Sequence, residues 1–104
     1  MYFLDYNHKM SNYIGNAFSL QMLSSFNATV AISEVEAFPK DAISVVGHQD
    51  TANVLGVAFN RVSLKLEEGD VLYVAQVIGG RLPEGCTTLP EGFQMKFLKV
   101  EVKY

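Results

Sequence analysis

A histidine beside a glycine is the strongest candidate for acid–base chemistry in this sequence. His48 follows Gly47 and precedes a segment whose apolar residues have helical spacing, so it falls at a predicted helix start. Backbone N–H groups at such a position attract anions, and a histidine there suits proton donation near neutral pH. Taken alone, such a histidine is more often a satisfied or exposed side chain with no chemical role.

Two arginines are the candidate anion contacts. Arginine can grip a phosphate with two parallel hydrogen bonds, and the chain contains only Arg61 and Arg81. Arg61 opens a predicted strand, whereas Arg81 follows Gly79-Gly80, a pair of glycines that lets a loop approach a ligand closely. Each arginine taken singly is more typical of a solvated charge at the end of a strand.

Other chemistries lack the residues they require. One cysteine, Cys86, and two histidines supply neither the ligand count nor the spacing of a zinc site. The sequence has no P-loop and no dinucleotide-binding glycine pattern, and Ser19 does not lie in a nucleophile elbow. We therefore expect a protein without a metal or cofactor.

Length and composition indicate one globular domain. The 104 residues, 49% hydrophobic and 18% charged, are enough for a core and exclude a disordered chain. A net charge of -3 argues against long nucleic acid as a partner, and no apolar run reaches the roughly 20 residues of a membrane-spanning helix. A lone cysteine indicates a reducing compartment, so we expect a cytoplasmic protein.

The hydrophobic pattern predicts an α+β fold in which short helices flank a mixed, mainly antiparallel, five-stranded sheet. Residues 1–12 are predicted to be a short extension, with residues 1–9 of little importance, and residues 13–104 a single domain. The first strand is expected near Tyr13 and runs into a turn at 16–19. The other predicted strands are 28–37, 61–66, 71–78 and 97–102.

Helices and turns are predicted between these strands. A first short helix is expected from Pro39 and a second within 48–57, ending near Gly56. Strands 61–66 and 71–78 are predicted to form an antiparallel hairpin around a turn at 67–70, with 71–78 central and covered on both faces. The sequence Leu-Pro-Glu-Gly occurs at 82–85 and again at 89–92, which predicts two type I turns.

Five short motifs, in order along the chain, resemble one known family. They are NAFSLQML (16–23), Gly47-His48 before a short helix, NRVSLKLEEGD (60–70), LYVAQV (72–77) and GRLPEG (80–85). Through them residues 13–89 resemble the viral anti-CRISPR ring nucleases, a small family of archaeal viruses, phages and mobile elements. That family often continues after the equivalent of Leu89 with a helical segment, where this chain has the turn sequence Pro-Glu-Gly.

The resemblance implies a homodimer that degrades cyclic tetra-adenylate, the messenger of type III CRISPR defence, without a metal. In that reaction a ribose 2′-hydroxyl of the ligand attacks its own phosphate, and His48 matches the family's histidine that protonates the leaving 5′-oxygen. Arg81 and Glu84 match the arginine and glutamate of GRLPEG and are the other expected catalytic residues. The expected ligand-binding residues are Asn16, Ser19, Gly47, Arg61 and Gly80.

Two other functions fit the same residues. A non-catalytic dimer could sequester a cyclic nucleotide or small RNA through the same arginines, with His48 only hydrogen-bonding. A structural or regulatory viral protein could use its sheet to recruit a protein partner, with the polar residues incidental.

Overall fold

A five-stranded mixed sheet carries the fold. The computed structural model of the chain describes residues 2–8, 29–62, 65–80 and 82–103. Within them lie β1 (Tyr2–His8), β2 (Thr29–Val35), β3 (Ile43–Ser44), α1 (Gln49–Leu55), β4 (Val71–Ile78) and β5 (Gln94–Lys103). The strands are ordered β2-β5-β4-β1-β3 across the sheet, which confirms the predicted α+β class. The first predicted strand, near Tyr13, lies outside the described residues.

The apolar strand β4 is the centre of the sheet, as its sequence predicts. Every residue from Val71 to Val77 is buried. β4 pairs with β1 in parallel and with β5 in antiparallel orientation, and side chains from other segments cover both of its faces. A strand in this position has no solvent face, so its sequence shows no polar alternation.

The sheet has a hydrophobic cluster on each face. Leu72 and Val74 of β4 pack with Val100 and Val102 of β5 under Leu66. The opposite face is covered by α1 and the segments that flank it. Its buried members are Leu4, Val46, Ala52, Val71, Tyr73 and Ala75.

The prediction that residues 1–9 matter little is wrong. β1 lies inside the sheet, parallel to β4 over seven residues from Tyr2↔Val71 to His8↔Val77 and parallel to β3 on its other side. Leu4 has no exposed surface and belongs to the core. Chain termini are disordered only when nothing ties them down, and here a full set of strand pairings does so.

The helix predicted from Pro39 is also wrong. Pro39 begins a turn, closed by a hydrogen bond of 3.1 Å from the Ala42 N–H to its carbonyl oxygen, and β3 follows. The Val45 N–H then donates to the carbonyl of Leu4 at 2.8 Å. Strand pairing with β1 satisfies this backbone, and it overrides the local preference of a proline for a first helical turn.

The predicted hairpin of 61–66 with β4 is wrong, because β4 pairs with β1 and β5 instead. Residues 67–70 do make the predicted turn, with the Asp70 N–H donating to the Glu67 carbonyl at 3.0 Å. However, both edges of β4 are occupied, by β1 and β5, so the preceding segment cannot pair with it. Leu66 instead packs onto the sheet, fully buried, while Val62 is 55% exposed. The predictions for β2, α1 and β5 are confirmed within two or three residues at each end.

Candidate functional site

Three parallel strands direct the chain toward one edge of the sheet. β1, β3 and β4 run in the same direction, so their carboxyl ends face the same way. The chain leaving β3 reaches Gly47-His48, and the chain leaving β4 reaches Gly79-Gly80. Ligands of α/β sheets commonly bind outside the carboxyl ends of parallel strands. Residues far apart in the sequence therefore meet where a ligand site is expected.

His48 caps the amino terminus of α1 with its backbone and its side chain. Its carbonyl accepts the Ala52 N–H at 3.0 Å, and its Nδ1 accepts the Thr51 N–H at 3.2 Å. The Thr51 Oγ1 lies 2.9 Å from the same Nδ1. Because a backbone N–H can only donate, the neutral imidazole carries its proton on Nε2. The backbone N–H groups at this helix start were expected to attract anions, and the Thr51 N–H among them is bonded to the histidine instead.

The remainder of α1 fixes this cap on the sheet. Thr51 and Ala52 are fully buried, and Ala52 belongs to the cluster beneath the helix. Gly56 ends the helix in the left-handed region at φ 71°, with its N–H directed at the carbonyls of Ala52 and Asn53. The short helix therefore has a defined start, a defined end and one buried face.

Arg61 lies beside Gly47, where strand pairing rather than sequence proximity places it. The Asn60 N–H donates to the Val46 carbonyl at 2.9 Å, and the Asn60 side-chain amide donates to the Ser44 carbonyl at 2.9 Å. These bonds lay the 59–61 segment along the chain that leaves β3. Arg61 Nη2 then donates to the Gly47 carbonyl at 3.3 Å, with the arginine exposed.

A carboxylate joins the first turn of α1 to the loop that follows β4. Asp50 Oδ1 accepts the Gly85 N–H at 3.0 Å, across 35 residues of sequence. Gly85 belongs to a turn closed by the Cys86 N–H and the Pro83 carbonyl at 3.3 Å. This bond places Glu84, an exposed residue of the same turn, next to the helix end that His48 caps.

Both Leu-Pro-Glu-Gly copies form turns, but of type II and one residue later than predicted. In each, the proline carbonyl accepts the N–H three residues on, and the glycine has a positive φ, 78° for Gly85 and 85° for Gly92. The second turn packs against Gly79. A Cβ there would lie 3.1 Å from the Phe93 Cα, and the φ of Gly79 is +124°. A glycine is therefore required where the loop leaves β4.

Some of the predicted site residues lie close together in the structure. His48, Gly47, Arg61 and the turn of Glu84 surround one end of α1. Gly80 is exposed, has a φ of +112°, and a Cβ there would have no neighbour within 4 Å. The remaining predicted residues, Asn16, Ser19 and Arg81, lie outside the described residues.

Sequence reasoning missed two residues that hold this cluster together. Thr51 stands three positions after the capping residue, where N-cap side chains bond, so the spacing could have revealed it. Asp50 carries no comparable signal, because its partner Gly85 is distant in the sequence.

The opposite edge of the sheet has an acidic character that does not suit a phosphate ligand. A cavity of about 390 Å³ there is lined by Glu68, Gly69, Asp70, Val71, Glu101, Val102 and Lys103. Lys99 Nζ lies 2.9 Å from Glu101 Oε1, and this hydrogen-bonded ion pair holds the pKa of Glu101 below its ordinary value and raises the pKa of Lys99. The ion pair therefore favours the ionised form of this carboxylate.

The described residues contain neither a candidate metal site nor a candidate membrane-spanning helix. Within 2–8, 29–62, 65–80 and 82–103, no group of three or more His, Cys, Asp or Glu side chains is placed to hold a metal ion. In the same part of the chain, no helix has the length and apolar character needed to cross a membrane.

Comparison with known proteins relates both the sequence and the fold to one viral protein. A family model described as STIV B116-like matches residues 12–95, a range that contains every predicted site residue. Among solved structures, B116 of Sulfolobus turreted icosahedral virus (STIV) matches with a TM-score of 0.66 and 23% sequence identity. The match covers 97% of this chain and 99% of that chain, so β1 is part of the shared fold. The search of curated proteins found no match.

Proposed function

The chain belongs to the STIV B116-like family, and from this premise we propose that it is a metal-independent ring nuclease. Its substrate is cyclic tetra-adenylate and its product is linear di-adenylate with a 2′,3′-cyclic phosphate end. Destruction of the ring switches off type III CRISPR signalling. The observation that carries the proposal is the capping histidine, held by Thr51 at the same helix end as Arg61 and the Glu84 turn.

The substrate supplies its own nucleophile, so the protein needs no activated serine. The ribose 2′-oxygen forms a bond to the adjacent phosphorus, and the bond from phosphorus to the 5′-oxygen breaks. The 2′-hydroxyl proton passes to water, and the 5′-oxygen takes a proton from the enzyme. The protein must align these three atoms, and positioning of this kind is worth several kcal/mol.

His48 is the proton donor in this proposal. As an imidazolium it gives up the Nε2 proton to the leaving oxygen, while Nδ1 stays beside the Thr51 side chain, 2.9 Å from its Oγ1. The buried Thr51 side chain beside Nδ1 fixes the direction of the ring, which is what efficient proton transfer needs. General acid catalysis of this kind contributes about 10²–10⁴-fold.

The arginines neutralise the charge that develops on the phosphate. Arg81 follows the two positive-φ glycines of the loop after β4 and is our first choice, and Arg61, exposed beside Gly47, is the second. Asn16, Ser19, Gly47 and Gly80 complete the ligand contacts. Few cations suffice in a chain with a net charge of -3 if they converge on one site.

Glu84 has a supporting role. It follows Arg81 by three residues and lies on the turn that Asp50 bonds to α1. From there its carboxylate orients the Arg81 guanidinium through an ion pair or contacts a ribose hydroxyl. We do not assign it the 2′-hydroxyl proton.

We further propose that the active species is a homodimer. The apolar β4 does not itself require a partner subunit, because β1 and β5 of the same chain bury it. The argument is instead the symmetry of the substrate, since a ring of four identical nucleotides matches a two-fold axis that presents each His48 and arginine twice. Sedimentation of an active protein as a monomer at micromolar concentration would contradict this.

One assay separates the proposal from its alternatives. The protein is incubated with cyclic tetra-adenylate in excess chelator, and the products are separated and identified by mass spectrometry. Appearance of di-adenylate cyclic phosphate supports the ring nuclease. If the protein binds the ring but leaves it intact, it is a sequestering dimer. If the protein neither binds nor cleaves the ring, it is a structural or regulatory viral protein. A matched ring with 2′-O-methyl groups, which lacks the nucleophile, must stay intact.

A further inference from the structure

Thr51 occupies a position that a capping interaction alone does not require. Its side chain is completely buried, and its Oγ1 lies 2.9 Å from His48 Nδ1. The backbone N–H of the same residue already donates to Nδ1 at 3.2 Å. The imidazole nitrogen therefore faces two groups of one residue, of which one is a fixed donor and the other can donate or accept.

These two groups of Thr51 differ in which protonation states of the His48 ring they can bond during the proposed reaction. A neutral imidazole with its proton on Nε2 has a lone pair on Nδ1, which accepts the Thr51 N–H. The imidazolium carries a proton on Nδ1, and so does the neutral ring that remains after the Nε2 proton has been given away. A backbone N–H cannot accept that proton, whereas the hydroxyl oxygen 2.9 Å away can. A half-buried N–H without an acceptor would be costly.

We propose that Thr51 is a positioning residue for His48, whose hydroxyl alternates between donor and acceptor so that Nδ1 stays bonded through the catalytic cycle. This inference rests on the proposed function. The neighbouring described elements also bring charges to this helix end, namely Asp50 on α1, Arg61 across Gly47, and Glu84 on the turn bonded to Asp50. The variants below leave all three unchanged.

Two substitutions of Thr51 separate the hydroxyl from the shape of the side chain. Thr51→Val keeps the β-branched shape and removes the hydroxyl, whereas Thr51→Ser keeps the hydroxyl. We expect Thr51→Val to slow single-turnover cleavage about tenfold or more, which is part of the rate enhancement that a general acid supplies. The affinity for the ring should change little. Thr51→Ser should cleave the ring at a rate within about threefold of the wild-type rate.

A modified substrate shows whether the loss acts through His48. In a ring with bridging 5′-sulfur atoms, the leaving group is a thiolate. A thiol has an ordinary pKa of about 8.5, so its thiolate leaves without being protonated. We expect Thr51→Val to cleave this ring about as fast as the wild type. Equal slowing on both rings, or no slowing on the oxygen ring, would overturn the inference.

A measurement without substrate keeps the test independent of the proposed function. In ¹⁵N spectra of the protonated wild type, the His48 Nδ1–H should be visible and protected from exchange, and it should be lost in Thr51→Val and retained in Thr51→Ser. A wild-type imidazolium whose Nδ1–H exchanges freely would refute the role of Thr51. A protected Nδ1–H in a protein that does not cleave the ring would refute the ring nuclease and leave the alternating hydroxyl supported.

Discussion

His48 has two functions in this structure, and one pair of substitutions separates them. It caps α1 through Nδ1 and, in our proposal, donates a proton through Nε2. His48→Ala removes both functions. His48→Asn removes the acid but places at the cap a residue type that is among the best acceptors for helix N–H groups. The two variants therefore differ in stability and should agree in catalysis.

The expected magnitudes follow from the geometry. Loss of a capping side chain costs about 1 kcal/mol, which in a domain of this size lowers the melting temperature by about 4–8 °C. We expect that shift for His48→Ala and a clearly smaller one for His48→Asn. Loss of the general acid should slow cleavage by about 10²-fold or more in both, which corresponds to about 2.7 kcal/mol in activation free energy.

The assay is single-turnover cleavage of cyclic tetra-adenylate with protein in excess, alongside thermal unfolding followed by circular dichroism. Binding of the ring, measured separately, should be largely retained in both variants. Wild-type cleavage by His48→Asn would refute the assignment of His48 as the proton donor. Equal loss of stability in both variants would instead refute the reading of the His48 side chain as a cap.

Three further outcomes are expected. Leu4→Ala should lower the free energy of unfolding by about 2–5 kcal/mol in urea denaturation, and an unchanged midpoint would mean that β1 is not part of the core. Asp50→Ala should speed hydrogen exchange of the Gly85 amide and lower kcat/KM about tenfold. Asp50→Asn, which keeps the oxygen acceptor, should lower kcat/KM less. Equal losses of kcat/KM in the two variants would exclude the bond to Gly85 as the cause. Arg81→Ala should weaken both ring binding and cleavage more than any single lysine substitution. Arg81→Lys should recover only part of this loss, because an ammonium cannot make two parallel hydrogen bonds to a phosphate. Full activity of Arg81→Lys would rule out bidentate contact.

Elements governed by their own residues could be predicted from the sequence. The uninterrupted apolar run of β4 indicated a central strand, the alternation of β5 indicated the last strand, and the spacing around His48 and Gly56 indicated α1 and both of its ends. The turns at 83–86 and 90–93 depend on their glycines and were foreseen as turns, although not with the correct type. In each case the determining interactions lie within a few residues of one another.

Elements that depend on a distant partner could not be predicted. Whether β1 is a tail or an inner strand depends on β4, which lies about seventy residues away in the sequence. β3 in turn depends on its pairing with β1, at Phe3↔Ile43 and Leu4↔Ser44. The site follows the same rule. His48 and the two arginines could be named from residue type and resemblance. The contact of Arg61 with Gly47 exists because the 59–61 segment pairs with the chain that leaves β3. The contact of Asp50 with Gly85 exists because parallel strands carry separate loops to one edge. Local spacing determines which side chains are available for chemistry, and strand pairing between remote segments decides which of them meet.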